Sequence, residues 1–250
     1  RLSPIPESIM SAVCHFPSLE DAVMTAQQVI QYRIPIARIE MLNADQMGIS
    51  INYSKLKDIE AVPTLFFEFH GSEISNNENI KIVEDISKDN NGSSFKWAKD
   101  LEERNKIWKA RWDVYYSVKA LHNNGRVYST DVCVPISNIT ECVKFAEEQA
   151  KKFGVRAPMV GHMGDGNFHV VLPYDPTKKE MYKQIRAFND VLIRKALDLN
   201  GTITGEHGVG LHKKEYLLEQ HPDNIPVMKS IKRTLDPNNI MNPGKIFDLN

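Results

Sequence analysis

The run Gly161-His162-Met163-Gly164-Asp165-Gly166-Asn167-Phe168-His169 constrains the fold of this 250-residue chain more than any other stretch. Asp-Gly between two apolar runs is a strong hairpin signal, so Ala157 to His162 and Phe168 to Pro173 are expected to pair around Gly164-Asp165-Gly166. A hairpin requires neighbouring antiparallel strands, which rules out a purely parallel sheet. Glycine tolerates positive φ and leaves room for close backbone approach. His162 and His169 stand seven positions apart, so such a turn can bring both imidazoles to one side. A second glycine-rich run, Gly205-Glu206-His207-Gly208-Val209-Gly210, follows the strand-like Thr202 to Thr204.

Around these runs the periodicity alternates between strand and helix. Strands are expected at Ile9 to Phe16, Ile36 to Leu42, Thr64 to Phe69, Phe95 to Ala98 and Tyr128 to Val134. The expected helices are one capped by Ser18 with Leu19, Val23, Ala26 and Ile30 on its inner face, then Asn43 to Tyr53, Glu78 to Lys88, Leu101 to His122 and Ile139 to Phe153. Another opens at Asp175-Pro176, buries Tyr182, Ile185, Leu192, Ala196 and Leu199 and stops at Gly201; Lys213 to Gln220 and Asn224 to Leu235 are shorter. Trp108, Trp112 and Tyr116 recur every four residues in the Leu101 helix and read as a core stripe, with Arg111 off it. Together these predict an α+β layer fold with ferredoxin-like β-α-β elements, a mainly antiparallel sheet and a C-terminal helical segment. Residues 1–8 read as a linker or the tail of a preceding domain, and residues 9–250 as one domain.

Composition narrows the functional classes. With 31 Lys and Arg against 32 Asp and Glu, no basic field points to nucleic acid and no polybasic stripe to a membrane surface. No apolar run approaches the roughly 20 residues of a membrane span. Cys14, Cys133 and Cys142 lack C-x-x-C spacing and read as ordinary buried thiols. No G-x-G-x-x-G follows a strand and no Walker motif occurs, and the Gly205 run lacks the lysine and serine of a phosphate cradle.

The residues themselves suggest a metal. Two neutral imidazoles, His162 and His169, with the carboxylate of Glu206, make a three-ligand set of the kind that leaves coordination positions open for substrate. His207 would stand beside it. The alternative is that these histidines are polar turn residues. As a metal site the set suits either a redox enzyme or a hydrolase that activates water; as turn residues it suits a small-molecule binding module.

Taken together, Gly161 to His169, Gly205 to Gly210 and Asp236 to Lys245 resemble the C-terminal half of FAD-linked oxidases of the vanillyl-alcohol oxidase type, and within them the mitochondrial, cytochrome-linked D-lactate dehydrogenases. Tyr128 to Pro135 fits the same pattern, and Arg1-Leu2-Ser3-Pro4 is similar to the end of that family's flavin-binding domain. The resemblance implies FAD, held mostly by a domain outside this stretch, and a divalent zinc or manganese bound by His162, His169 and Glu206. It also implies His207 as the base for the substrate hydroxyl, Arg111 as partner of the substrate carboxylate, and Asn242 close to the flavin ring. The implied substrate is a small D-2-hydroxy acid and the implied acceptor cytochrome c or a quinone-linked flavoprotein, in the mitochondrion. Ser129 and Val171 stand where dicarboxylate-specific relatives carry lysine and asparagine, which implies a short substrate tail. On this reading the chain is half an enzyme, a fragment or a natural truncation that does not turn over alone.

Overall fold

The structure, a computed structural model, describes residues 5–57, 59–122 and 125–249. The flavin-domain resemblance at residues 1–4 lies outside them. The first half runs β1 (Ser8–His15), α1 (Leu19–Gln31), β2 (Arg38–Leu42), α2 (Ala44–Ser54), β3 (Thr64–Gly71), α3 (Glu73–Asp89) and β4 (Ser93–Ala98). Its helices start where a side chain can accept a first-turn N–H. Ser18, Asn43 and Ser72, all in extended backbone, take the N–H groups of Asp21, Gln46 and Ser75. The strands lie in the order β4-β1-β3-β2 with every pair antiparallel, which is the ferredoxin-like arrangement.

After α4 (Leu101–Trp112) and α5 (Val114–Lys119) the second half runs β5 (Arg126–Ser129), β6 (Val132–Cys133), α6 (Ile139–Phe153), β7 (Met159–His162), β8 (Asn167–Tyr174) and α7 (Lys179–Asp198). Thr202 then forms an antiparallel bridge with Cys133. The order β7-β8-β6-Thr202 repeats that of the first half, read from β2 to β4. The two halves share one sheet because β2 and β7 pair, with Glu40 opposite His162 and Leu42 opposite Val160. The expected α+β fold with a mainly antiparallel sheet is therefore present. Helices α8 (Lys214–Gln220) and α9 (Ile225–Leu235) form the C-terminal segment.

Strand alternation sorts the side chains onto two faces. Met10, Ala12, Leu65, Phe67, Phe168, Val170 and Leu172 enter the larger core under α1, α3, α6 and α7. Leu42, Phe66, Val160 and Val171 point the other way, into a smaller cluster with Met47, Trp108 and Val118 of α2, α4 and α5. Glu40, His162 and His169 alternate with the larger core's residues and so lie on this second face.

Several expectations need correction. The helix expected over Leu101 to His122 breaks at Asp113, whose φ of −82° and ψ of 1° leave the helical region. The Asp113 carboxylate is drawn to Ser54 of α2 and to Lys109. The change of direction undoes the aromatic stripe: Trp108 is 2% exposed, but Trp112 is 52% and Tyr116 62% exposed. Tyr182 is 37% exposed, unlike the rest of its predicted face. Helix α7 starts at Lys179 because Asp175 accepts from Thr177 N–H and hydroxyl, closing a separate turn first. Cys133 is half-buried, whereas Cys14 and Cys142 are buried as expected. Finally, the strand expected over Tyr128 to Val134 is interrupted at Thr130 and Asp131.

Candidate metal centre

The interruption at Thr130 builds the site. β5 and β6 face β8 in one unbroken register, Ser129 opposite Val171 and Val132 opposite Phe168. Between them Thr130 N–H still donates to Val170 O at 3.0 Å, but Val170 N–H donates to the Thr130 hydroxyl at 2.8 Å instead of to the carbonyl. The Thr130 carbonyl is released to His169 Nδ1 at 2.9 Å. A carbonyl can only accept, so Nδ1 carries the proton and Nε2 presents a lone pair.

The β7–β8 hairpin supplies the second histidine. Gly166 turns at φ +74°, and a Cβ there would lie 2.1 Å from Val134 O, so the turn requires glycine. The His162 and His169 rings come to 5.6 Å apart. His162 Nδ1 meets Glu40 Oε1 at 2.7 Å, which again directs Nε2 to the opposite side. Burial opposes ionisation of Glu40, but the bonds and charges of His162 and Arg111 outweigh it and hold its pKa below the usual value. The bond to Glu40 raises the His162 pKa; burial lowers that of His169.

Both Nε2 atoms converge on Glu206 Oε1, at 3.5 Å from His162 and 3.0 Å from His169. His169 Nε2 is buried and has no hydrogen-bond partner. A lone pair facing a carboxylate oxygen is repulsive unless a cation lies between them. Ligands roughly 2.0–2.2 Å from a tetrahedral ion sit roughly 3.3–3.6 Å from one another; the His162–Glu206 separation of 3.5 Å falls in that range, that of His169 and Glu206 at 3.0 Å is slightly shorter, and the three candidate atoms all lie within 4.8 Å of one another. The donor set therefore fits a divalent metal. Asp131, His169 and His207 form another grouping of possible ligands, but Asp131 and His169 Nδ1 are already committed to protein partners.

Asp131, 1% exposed, is the residue on which the Glu206 turn rests. It accepts from Thr204 Oγ1 at 2.5 Å, Asn167 Nδ2 at 2.9 Å, and the N–H groups of Gly205 at 3.0 Å, Glu206 at 3.3 Å and His207 at 3.0 Å. Lys213 Nζ approaches it at 3.4 Å while donating to the carbonyls of Asp131 and Ile203. Burial would push this carboxyl up, but the Thr204 and Asn167 bonds, the Lys213 charge and the His207 N–H hold it well below the usual carboxylate range. The turn's N–H groups are thus committed to a protein carboxylate and not to a phosphate. Gly205 is required too, since a Cβ there would lie 1.7 Å from Asn167 Nδ2.

The other predicted residues are distributed unevenly. His207 stacks on His169 at 4.6 Å, nearly parallel, with its Nε2 3.5 Å from Glu206. Arg111 reaches the centre through Glu40, donating from Nε at 2.8 Å. Ser129 and Val171 are opposite one another on the site face, Val171 being two residues beyond His169. Asn242 lies on an exposed tail turn at φ +48°. Among the described residues no hydrogen bond joins it to the candidate ligands, although Ile246 N–H of the same tail donates to Gly210 O at 2.8 Å. Glu40 and His162 line a small cleft of about 140 Å³. A larger cavity of about 510 Å³, around His15, Phe95 and Trp97, is lined by none of the candidate ligands.

The sequence reading missed Glu40, Thr130, Asp131 and Lys213. The available signal was a carboxylate inside an apolar strand, Glu40 in Ile36 to Leu42 and Asp131 in Tyr128 to Val134. Buried charges are paired, so each implied a partner elsewhere.

The family described as FAD linked oxidases, C-terminal domain, matches residues 5–246. A probable mitochondrial D-lactate dehydrogenase of Danio rerio is 44% identical over 250 residues, covering 100% of this chain and 50% of that protein. The mitochondrial D-lactate dehydrogenase [cytochrome] of Arabidopsis thaliana is 37% identical, covering 99% of this chain and 44% of that protein. The chain thus spans about half the length of these curated relatives. Among solved structures, 4-ethylphenol oxidase from Gulosibacter chungangensis superimposes with a TM-score of 0.73 at 16% identity, over 99% of this chain and 55% of that one.

Proposed function

The chain belongs to the family of FAD-linked oxidase C-terminal domains, and on that premise we propose that it is the substrate-binding part of a mitochondrial dehydrogenase for D-lactate and similar small D-2-hydroxy acids. Residues 9–250 are that domain, cap plus C-terminal helices. In a protein of the relatives' length, FAD is held mainly by the region this chain does not cover, and electrons pass on to cytochrome c or a quinone-linked flavoprotein. When bound, flavin supplies a two-electron acceptor, and a zinc or manganese ion supplies charge that acidifies a substrate hydroxyl.

The chain's own residues have separable tasks. His162, His169 and Glu206 hold the metal. Arg111 pairs with the substrate carboxylate, a contact suited to the guanidinium fork. His207, exposed beside Glu206 and stacked on His169, accepts the proton of the 2-hydroxyl as general base. Asn242 lies near the flavin once the rest of the protein is present. Ser129 and Val171 line the substrate tail; valine offers no charge to a distal carboxylate, which is costly to bury unpaired.

The observation that carries this reading is the buried, partnerless His169 Nε2 facing Glu206 at 3.0 Å. The FAD-linked family match favours flavin chemistry over hydrolysis by the same ligands. Two experiments test it. Elemental analysis with a flavin titration should find one divalent ion per chain and little affinity for FAD; tight stoichiometric FAD binding would contradict the division of labour. In the full-length protein, kcat/KM should favour D-lactate over D-2-hydroxyglutarate, and the reverse preference would mean that other residues line the tail.

A further inference from the structure

The geometry points to Glu40 as a positioning residue that ties the metal ligand His162 to Arg111, so that binding at the metal and at the guanidinium are coupled through one carboxylate. This rests on the metal reading above and deepens it. Glu40 sits on β2 directly opposite His162 of β7, at the seam between the two halves of the sheet. Its side chain is 8% exposed. Oε1 accepts His162 Nδ1–H at 2.7 Å, and Oε2 accepts Arg111 Nε–H at 2.8 Å.

A buried carboxylate with one partner on each oxygen cannot rotate without losing both. Each partner therefore fixes the carboxylate for the other. The bond to Nδ1 sets the plane of the His162 ring and makes Nε2 a better donor to a cation, and outer carboxylates of this kind are typically worth about 10 to 100-fold in metal affinity. The bond to Nε sets where the Arg111 guanidinium lies relative to the ligands. An anion that draws Arg111 away leaves more of the Glu40 charge on His162. A cation on Nε2 makes Nδ1–H a stronger donor and draws Glu40 toward the ring. Such coupling is reciprocal by thermodynamic necessity.

Calorimetric titration of the chain with Mn²⁺ or Zn²⁺ tests this in four forms: unmodified, Glu40→Gln, Arg111→Met and the double variant. Glu40→Gln should weaken metal binding about 10 to 100-fold. Arg111 is not a ligand, so a merely structural or long-range charge effect of Arg111→Met would change affinity by the same factor with or without Glu40. The coupling predicts factors that differ at least threefold between the two backgrounds, as neighbours in one network do. An affinity for Glu40→Gln within twofold of the unmodified chain, or an additive cycle, overturns the inference while leaving the metal site standing. No metal binding by the unmodified chain removes both. Should Glu40→Gln fail to fold, the double variant leaves no unpaired buried charge, and comparison with Arg111→Met must still show a tenfold loss or the inference fails.

Discussion

Strands β1 to β4 and the set β6, β7, β8 and Thr202 follow the same order, but only the second set carries candidate ligands, His162 and His169. In the first half β1 and β3 pair over their whole length, from Ser8 opposite Gly71 to His15 opposite Thr64. In the second half β5 and β6 keep one register with β8 and lose two residues in the middle, Thr130 and Asp131. Those two residues hold His169 and the Glu206 turn. The site is thus made by giving up one ladder bond: Val170 N–H turns to the Thr130 hydroxyl, and the Thr130 carbonyl takes His169 instead, so that both freed backbone groups stay paired. The regular half contributes a core and, through Glu40, one support across the seam.

The contrast can be broken most severely at Asp131. Asp131→Ala leaves Lys213 and the Glu206 turn without their carboxylate, and breaking a buried pair typically costs about 3–5 kcal/mol. Urea denaturation should show that loss together with a fall of at least tenfold in metal affinity. The dependence on pH has a definite sign. The folded carboxyl is held below its ordinary value of 3.8, so its contribution is fully present above that pH and is lost as pH falls through the folded value. The penalty of Asp131→Ala should therefore shrink in acid, and a constant penalty down to the acid transition would contradict the assignment.

Phe67→Ala sharpens the contrast from the other side. Phe67 is fully buried in the larger core, and its truncation should cost about 3–5 kcal/mol while the folded protein keeps its metal affinity. Thr130→Val keeps shape but removes the acceptor for Val170 N–H, an unsatisfied buried donor worth about 1–3 kcal/mol. The released N–H should then compete with His169 for the Thr130 carbonyl, and metal affinity should drop a few-fold; an unchanged affinity would show that the carbonyl does not orient the ring. The smallest effect is expected from His15→Ala in β1, which removes a bond to Thr64 worth about 1 kcal/mol and should leave metal binding untouched.

What could be read from the sequence followed local rules. The Asp-Gly turn, the helix caps and the seven-residue spacing of His162 and His169 are set by neighbouring residues, and the hairpin and paired imidazoles appear as expected. What could not be read depends on distant partners. Asp131 is explained only by groups from Asn167 to Lys213, and Glu40 only by Arg111 and His162. The aromatic stripe failed because Asp113 ends the helix through contacts with another element. The doubled strand order was hidden because β6 is two residues long and its outer neighbour is the single bridge at Thr202.

On the proposed function, His162, His169 and Glu206 hold one divalent ion. Metal content of the purified chain, measured beside His169→Ala, Glu206→Ala and His15→Ala, tests it most directly. One ion per chain is expected in the unmodified protein and in His15→Ala, with near-complete loss in the two ligand variants after dialysis; equal content in all four would contradict the assignment.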